Sequence, residues 1–210
     1  MKVNVLFLYF IQVMIYTLLL FLFRELIINK DVFQLSFGEQ MDDSMIARAY
    51  KMQEEYAYLQ YLMVPVSLLF KVSATATCIY VRCFFTNIKV QFFFLFRIAL
   101  WAEFVFVAME FFRYLHLHQH TELLSLEYAQ WYSPFSLLNL FELGELALWY
   151  VYPLKTCNVF ELIYILVLAF LGCKFLKWPK AQSLELLILS YGIGLVFWMV
   201  LVSFLTLNLL

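Results

Sequence analysis

The sequence predicts an all-α fold, a polytopic transmembrane bundle of five to six helices that forms one integral membrane domain over residues 1–210. Hydrophobic residues make up 65% of the chain and charged residues only 14%, against about 45–50% and about 25% in soluble domains. Apolar runs of about twenty residues, the length that crosses a bilayer as a helix, recur along the chain. No Gly-rich or Ser-rich tract provides a flexible linker between two domains.

The first predicted span is 3–23, which ends where Arg24 and Glu25 reach the interface. It begins like a secretion signal, but it is too long and has no small-residue cleavage site, so we expect it to remain as a membrane anchor. Residues 24–55 form a polar connection. Apolar positions recur at helical spacing behind Asp42 and Asp43, which predicts that part of this connection is helical.

The second and third predicted spans, 59–81 and 90–112, should form an antiparallel hairpin. The second contains Lys71, and the third contains Arg97, Glu103 and Glu110. A turn near residues 85 and 86 places Lys71 about one helical turn from the depth of Glu103. A lysine at this depth costs about 2.5–3.5 kcal/mol, so we expect it to pair with Glu103, with Arg97 as an alternative neighbour.

Two interpretations of this charge network remain open. Intramembrane ionisable residues are candidates for ion or proton pathways, and Glu103 and Glu110 are seven residues apart on one helical face. The same charges also suit an internal salt bridge that fixes helix register and partner choice. The network comprises Lys71, Arg97, Glu103 and Glu110.

Three histidines, His116, His118 and His120, follow the third span. An extended backbone would align all three imidazoles, whereas a helix would align only His116 with His120. They are therefore weak candidates for a zinc or iron site, and solvated residues of an interfacial amphipathic helix over 114–132 are the alternative. No H-E-x-x-H motif accompanies them, and we expect no cofactor.

The remaining predicted spans are 133–153, 158–176 and 183–210. Aromatic residues near both ends of 133–153 resemble the aromatic belts of a membrane crossing; if this segment lies in the interface instead, the count is five. In the last span, Ser190 and Gly194 are four residues apart with Gly192 between them, a pattern that lets another helix approach closely.

A short repeat, Asn-x-x-Glu, occurs at Asn139 and Glu142 and again at Asn158 and Glu161. In each copy the amide can cap a helix while the carboxylate lies at the positive end of the helix dipole, which predicts two helix starts. A span that begins at residue 133 would instead hold Glu142 near its middle. The sequence leaves both alternatives open.

Composition also limits the class of protein. The formal net charge of −1 offers no basic surface for phosphates, which argues against nucleic-acid binding. No G-x-S-x-G, P-loop or dinucleotide motif is present, so we do not expect an enzyme. The expected partners are the lipid bilayer and other membrane protein subunits or a second copy. For a bacterial chain we expect the inner (cytoplasmic) membrane.

The C-terminal third carries a set of short features. They are Pro134-Phe135-Ser136-Leu137-Leu138, the helix start Cys157-Asn158-Val159-Phe160-Glu161-Leu162, the polar break Lys177–Ser183, and a final span with Tyr191, Gly192 and Gly194. This set resembles the last part of the Yip family of Rab-interacting membrane proteins and its bacterial relatives. In that family the corresponding helix often begins with Asp-x-Phe, and Asn158 stands where that Asp would be. The resemblance implies five spans and a non-enzymatic role in membrane organisation or trafficking.

Three functions follow as expectations. The first is a non-enzymatic, Yip-like subunit of a membrane complex, which would assemble through residues 24–55 and the small-residue face around Gly194. The second is an ion- or proton-coupled transporter, or a transporter subunit, with a charged route through the membrane. The third is a metal-dependent membrane enzyme that uses the histidines.

Overall fold

The computed structural model describes residues 4–38, 41–120, 125–142, 144 and 146–209. The predicted all-α fold is confirmed: the structure is 84% helical, and the described residues form nine helices and no strand. The helices are α1 (Val5–Leu26), α2 (Lys30–Phe37), α3 (Asp43–Glu55), α4 (Ala57–Phe85), α5 (Phe92–Gln119), α6 (Leu126–Trp131), α7 (Leu148–Thr156), α8 (Val159–Leu176) and α9 (Ala181–Leu209).

Five of these helices are long and apolar enough to cross a membrane: α1, α4, α5, α8 and α9. Each has at least 18 residues, which gives about 27 Å or more at 1.5 Å per residue, close to the thickness of the hydrocarbon core. This is the architecture of an integral membrane protein. Residues 3 and 210, at the outer ends of two predicted spans, lie outside the described residues.

The predicted fourth crossing, 133–153, is wrong. Its described residues form a turn, a 3-10 helix over Leu137–Leu140 and the start of α7, which has only nine residues, about 14 Å in length. The backbone of this segment pairs with the start of α8, because Leu137 N–H donates to Cys157 O and Val159 N–H donates to Phe135 O. The described residues therefore contain five helices that could cross a membrane, the lower count that the sequence left open.

Helices α7 and α8 together form one broken helix that runs antiparallel to α9. Four polar contacts join the two sides, and residue numbers fall along α9 as they rise along α7 and α8. The contacts are Trp149 with Ser203, Tyr152 with Trp198, Glu161 with Tyr191, and Ala169 with Ser183. The break lies at Cys157 and Asn158, between α7 and α8.

The central core lies where α4, α5, α8 and α9 meet. Tyr164 and Leu168 of α8 are fully buried there against Ile98 and Ala102 of α5. A second cluster joins α1 to α4 and α5 and includes Leu8, Leu68 and Leu100. The short helices form two smaller clusters, one of which packs α2 and α3 together through Phe33 and Ile46. The polar connection 24–55 is thus partly helical, as predicted.

One face of α1 carries three polar side chains that bind the neighbouring helices. The spacing of Tyr9, Gln12 and Tyr16 places them on one stripe of the helix. Their hydroxyl and amide groups donate to Pro65 O at 2.7 Å, Leu100 O at 2.7 Å and Glu103 Oε1 at 3.5 Å, respectively. This stripe, called the α1 polar stripe below, orients the least buried of the five long helices.

The small-residue face of α9 packs inside the chain, which corrects its predicted role as an assembly surface. A Cβ atom at Gly194 would lie 2.7 Å from Cys78 Sγ of α4, so Gly194 allows close packing between α9 and α4. Ser190 is buried and donates to Leu187 O within the π turn Ile188–Gly192. Gly192, in contrast, has open space beside it.

Candidate intramembrane site

Lys71 and Glu103 form an ion pair inside the bundle. Lys71 is the middle residue of α4, and its Nζ lies 2.8 Å from Glu103 Oε1. Glu103 lies at the junction of two helical segments of α5, Phe92–Ala102 and Phe104–Gln119, and its N–H still donates to Ala99 O while its C=O accepts from Val107 N–H. The structure therefore places Lys71 and Glu103 in contact, as the register of the predicted helical hairpin indicated.

The two side chains of the ion pair differ in exposure. The Glu103 side chain is 1% exposed, whereas that of Lys71 is 41% exposed. Lys71 Nζ also lies 3.2 Å from the centroid of the Phe106 ring, a cation–π contact. Glu103 Oε1 accepts from Tyr16, but Oε2 accepts no hydrogen bond from any residue that the structure describes. The carboxylate is buried and incompletely paired.

A cavity of about 380 Å³ lies beside the pair, between α1, α4 and α5. Lys71, Glu103 and Glu110 all line it, together with Arg113. Glu110 Oε2 lies 3.3 Å from Arg113 Nη1, and Arg113 also donates to Ala129 O at 2.7 Å. Three of the four predicted network residues thus face one cavity.

Arg97, the fourth predicted member, lies elsewhere. It lines a separate depression with Phe94, Ile98, Trp101 and Phe175. Six residues separate it from Glu103, and at about 100° per residue this spacing turns the two side chains to different faces of α5. The predicted network is therefore smaller than the sequence indicated.

A larger cavity of about 540 Å³ lies on the other side of Lys71, between α4, α7, α8 and α9. The break between α7 and α8 opens into it, because Lys155, Asn158 and Glu161 line its wall. Lys71 and Phe106 line both cavities. The ion pair therefore lies at the boundary between the two.

The second copy of the Asn-x-x-Glu repeat begins a helix. Asn158 is the N-cap of α8, and its Oδ1 accepts from Glu161 N–H at 2.9 Å. Glu161 Oε2 accepts from the Tyr191 hydroxyl at 2.7 Å, within the π turn of α9. The carboxylate lies in the first turn of α8, where the helix dipole favours it.

The first copy of the repeat does not begin an α-helix. Asn139 lies within the 3-10 helix, and its Nδ2 donates to Ser133 O at 2.8 Å. Glu142 is exposed and outside any helix. The same four-residue pattern therefore gives two structures.

The histidines lie at the end of α5 in helical geometry. His116 and His120 stack with ring centroids 4.6 Å apart, and His116 also stacks on Tyr132 at 4.4 Å. His118 instead stacks on Tyr114. Burial raises the pKa of Tyr132, so this phenol stays protonated at neutral pH. No group of three or more metal-ligating side chains occurs in the described part of the chain.

Several polar residues near the site were not selected by the sequence analysis. They are Tyr16, Lys155, Tyr164 and Tyr191. The spacing of Tyr9, Gln12 and Tyr16 within an apolar run is a signal that was available for the first of them. The tyrosines of α8 and α9 have no such signal, because aromatic residues are common in membrane helices.

The fold and this site define a class: a polytopic helical membrane protein with an ion pair and two cavities inside its bundle. Comparison of the chain with protein-family models, with curated proteins and with solved structures finds no match. The resemblance to the Yip family therefore stays a prediction.

Proposed function

We propose that this chain is a non-enzymatic integral membrane protein of the transporter class, either an ion- or proton-coupled transporter or the membrane subunit of one. Lys71, Glu103 and Glu110 would form its charged route. For a bacterial protein, the location would be the inner membrane.

The observation that supports this proposal is the incomplete pairing of Glu103 at the boundary of a cavity. A buried salt bridge with a purely structural role gains most when every lone pair of its carboxylate is satisfied. Here Oε2 is left without a donor among the described residues, while Lys71 reaches two cavities. A carboxylate in this state can accept and release a proton when its lysine partner moves.

The broken helix α7–α8 supports the same class. In membrane transporters, discontinuous helices place their ends at the binding site, where free backbone groups and helix dipoles contact the transported species. Irregular backbone within a membrane domain is tolerated where it is buried in protein or lines a cavity. The break at Cys157 and Asn158 opens into the cavity that Lys71 also lines.

The test is proton flux into vesicles that contain the purified protein and a pH-sensitive dye, driven by a potassium diffusion potential. We expect flux above that of empty vesicles, and we expect Glu103→Gln to remove most of it. Glu185→Gln is the matched control, because Glu185 is exposed near the start of α9. Undiminished flux in a folded Glu103→Gln protein would contradict the charged route.

A second candidate is a Yip-like role in membrane organisation, as a subunit that assembles with other membrane proteins or with a second copy. The observation that favours it is a row of exposed methionines on and before α3, namely Met41, Met45 and Met52. Flexible thioether side chains adapt well to protein partners.

A photo-crosslinking residue tests this second candidate. Placed at Met45, it should give a discrete adduct with a partner subunit or a second copy. Placed at Phe204, an exposed position on α9, it should contact lipid only. Equal adduct formation at the two positions would argue against a specific surface on α3.

A further inference from the structure

The larger cavity contains a lysine without a carboxylate partner. Lys155 lies in the last turn of α7, and its Nζ donates to Gln130 O at 3.0 Å. No salt bridge to Lys155 occurs within the described ranges. The other two charged residues of the wall have partners: Lys71 pairs with Glu103, and the Glu161 carboxylate accepts from the Tyr191 hydroxyl and keeps its negative charge. Among the described residues of the wall, Lys155 is therefore the cation that has no carboxylate within salt-bridge distance.

Most of the remaining wall is apolar, and the cavity opens on the side of the bundle that faces lipid. Phe70 of α4 and Phe197 of α9 line the cavity and are 59% and 68% exposed, respectively. These rings lie on the outer surface of two candidate membrane spans, where the surrounding medium is hydrocarbon. The volume of about 540 Å³ falls in the range of about 300–1,000 Å³ that is usual for small-molecule sites.

Lys155 lies at the end of the cavity beside α6. Its Nζ is 5.5 Å from the centroid of the Trp131 ring. Helix α6 packs through Ala129 against Ile27 and Leu117, near the ends of α1 and α5. The ends of membrane helices lie near the headgroup layer, and tryptophan is enriched there. The charged end of the cavity is thus at the depth of lipid headgroups, and its apolar part extends into the bundle.

We propose that this cavity binds an anionic lipid that enters laterally from the bilayer. One acyl chain lies along Phe70 and Trp198, and the phosphate lies beside Lys155. A zwitterionic lipid brings its own cation to the phosphate and so gains less from Lys155. A water-soluble anion would leave the apolar wall unused. Lipid binding goes beyond the proposed transport and does not depend on it.

Native mass spectrometry of the full chain in detergent tests the charge requirement. The probes are phosphatidylglycerol and phosphatidylcholine with identical acyl chains. We expect phosphatidylglycerol to bind at least about tenfold more tightly, as one charge-assisted contact would give. Lys155→Met should abolish the preference and Lys155→Arg should keep it. Lys174→Met, which alters a lysine that contacts Phe170 and Phe175 instead, should also keep it.

A second pair of variants tests the location. Ala74 is exposed and lines the cavity, so Ala74→Trp fills its mouth and should weaken both lipids. Thr77→Trp, at an exposed position of the same helix, should weaken neither. In the unmodified chain, phosphatidylglycerol should slow alkylation of Cys78, which lines the cavity, relative to that of Cys173.

Equal binding of the two lipids, an unchanged preference in Lys155→Met, or no protection of Cys78 would overturn the proposal. The result is separable from transport, because Glu103→Gln should remove flux and leave lipid binding intact. Loss of lipid selectivity with normal flux would contradict only the lipid site.

Discussion

The Lys71–Glu103 pair predicts a large coupling energy. At a separation of 2.8 Å and an effective dielectric constant of about 20, the Coulomb attraction is about 6 kcal/mol before desolvation is subtracted. Removing one partner of a buried pair costs about 3–5 kcal/mol, whereas replacing both is often neutral. We therefore expect Lys71→Met and Glu103→Gln each to destabilise the fold by about 3 kcal/mol.

The double variant should lie within about 1 kcal/mol of the unmodified protein, so the coupling energy, which is the sum of the two single effects minus the double effect, should be about 5–6 kcal/mol. The assay is unfolding in mixed micelles with increasing dodecyl sulfate, followed by circular dichroism. The control is the cycle of Glu110→Gln and Arg113→Met, whose pair is longer, at 3.3 Å, and more exposed at its carboxylate; its coupling should stay below about 1 kcal/mol. Additive effects of the first two substitutions would refute the reasoning.

Three further predictions concern the fold. Lys177 ends α8 with φ 57° and ψ 30°, so Lys177→Gly should stabilise the fold by about 1 kcal/mol. Lys174→Gly, inside α8, should destabilise the fold by about 1 kcal/mol. Thermal melts in detergent compare the two variants, and equal shifts of the melting temperature would contradict the left-handed cap. Gly194→Leu should lower the melting temperature, because its side chain would overlap Cys78, at a cost of about 1–3 kcal/mol; an unchanged melt would argue against close packing there. Five crossings place residues 4 and 209 on opposite sides of the membrane, so an impermeant protease should remove a terminal tag from only one end in sealed vesicles.

The fold class can be predicted from the sequence because a hydrophobic run of bilayer length rarely forms anything other than a membrane-spanning helix. The Lys71–Glu103 contact follows for a related reason. A short turn between two antiparallel helices fixes their axial register, so residues at similar distances from the turn meet. The six-residue spacing between Arg97 and Glu103 already places them on different faces of one helix, but which of these faces meets Lys71 depends on the rotation of the helix, and the hairpin register does not give that rotation.

The predicted fourth crossing failed because no long helix forms there, and the aromatic residues near its ends contact distant parts of the chain. Tyr132 stacks on His116, Trp131 lies beside Lys155, and Trp149 accepts from Ser203 on α9 through its backbone. Each of these contacts joins residues that are distant in sequence, so local hydropathy carries no information about them.

The α1 polar stripe connects the first helix directly to the residues around the ion pair. Gln12 donates to the carbonyl of Leu100, and Tyr16 donates to the carboxylate of Glu103, about one helical turn further along α5. Much of the remaining surface of α1 faces outward. A neighbouring protein could slide α1 along its axis, and so could a change in bilayer thickness. Such a movement would displace Tyr16 relative to the Glu103 carboxylate and so alter the contacts of the ion pair.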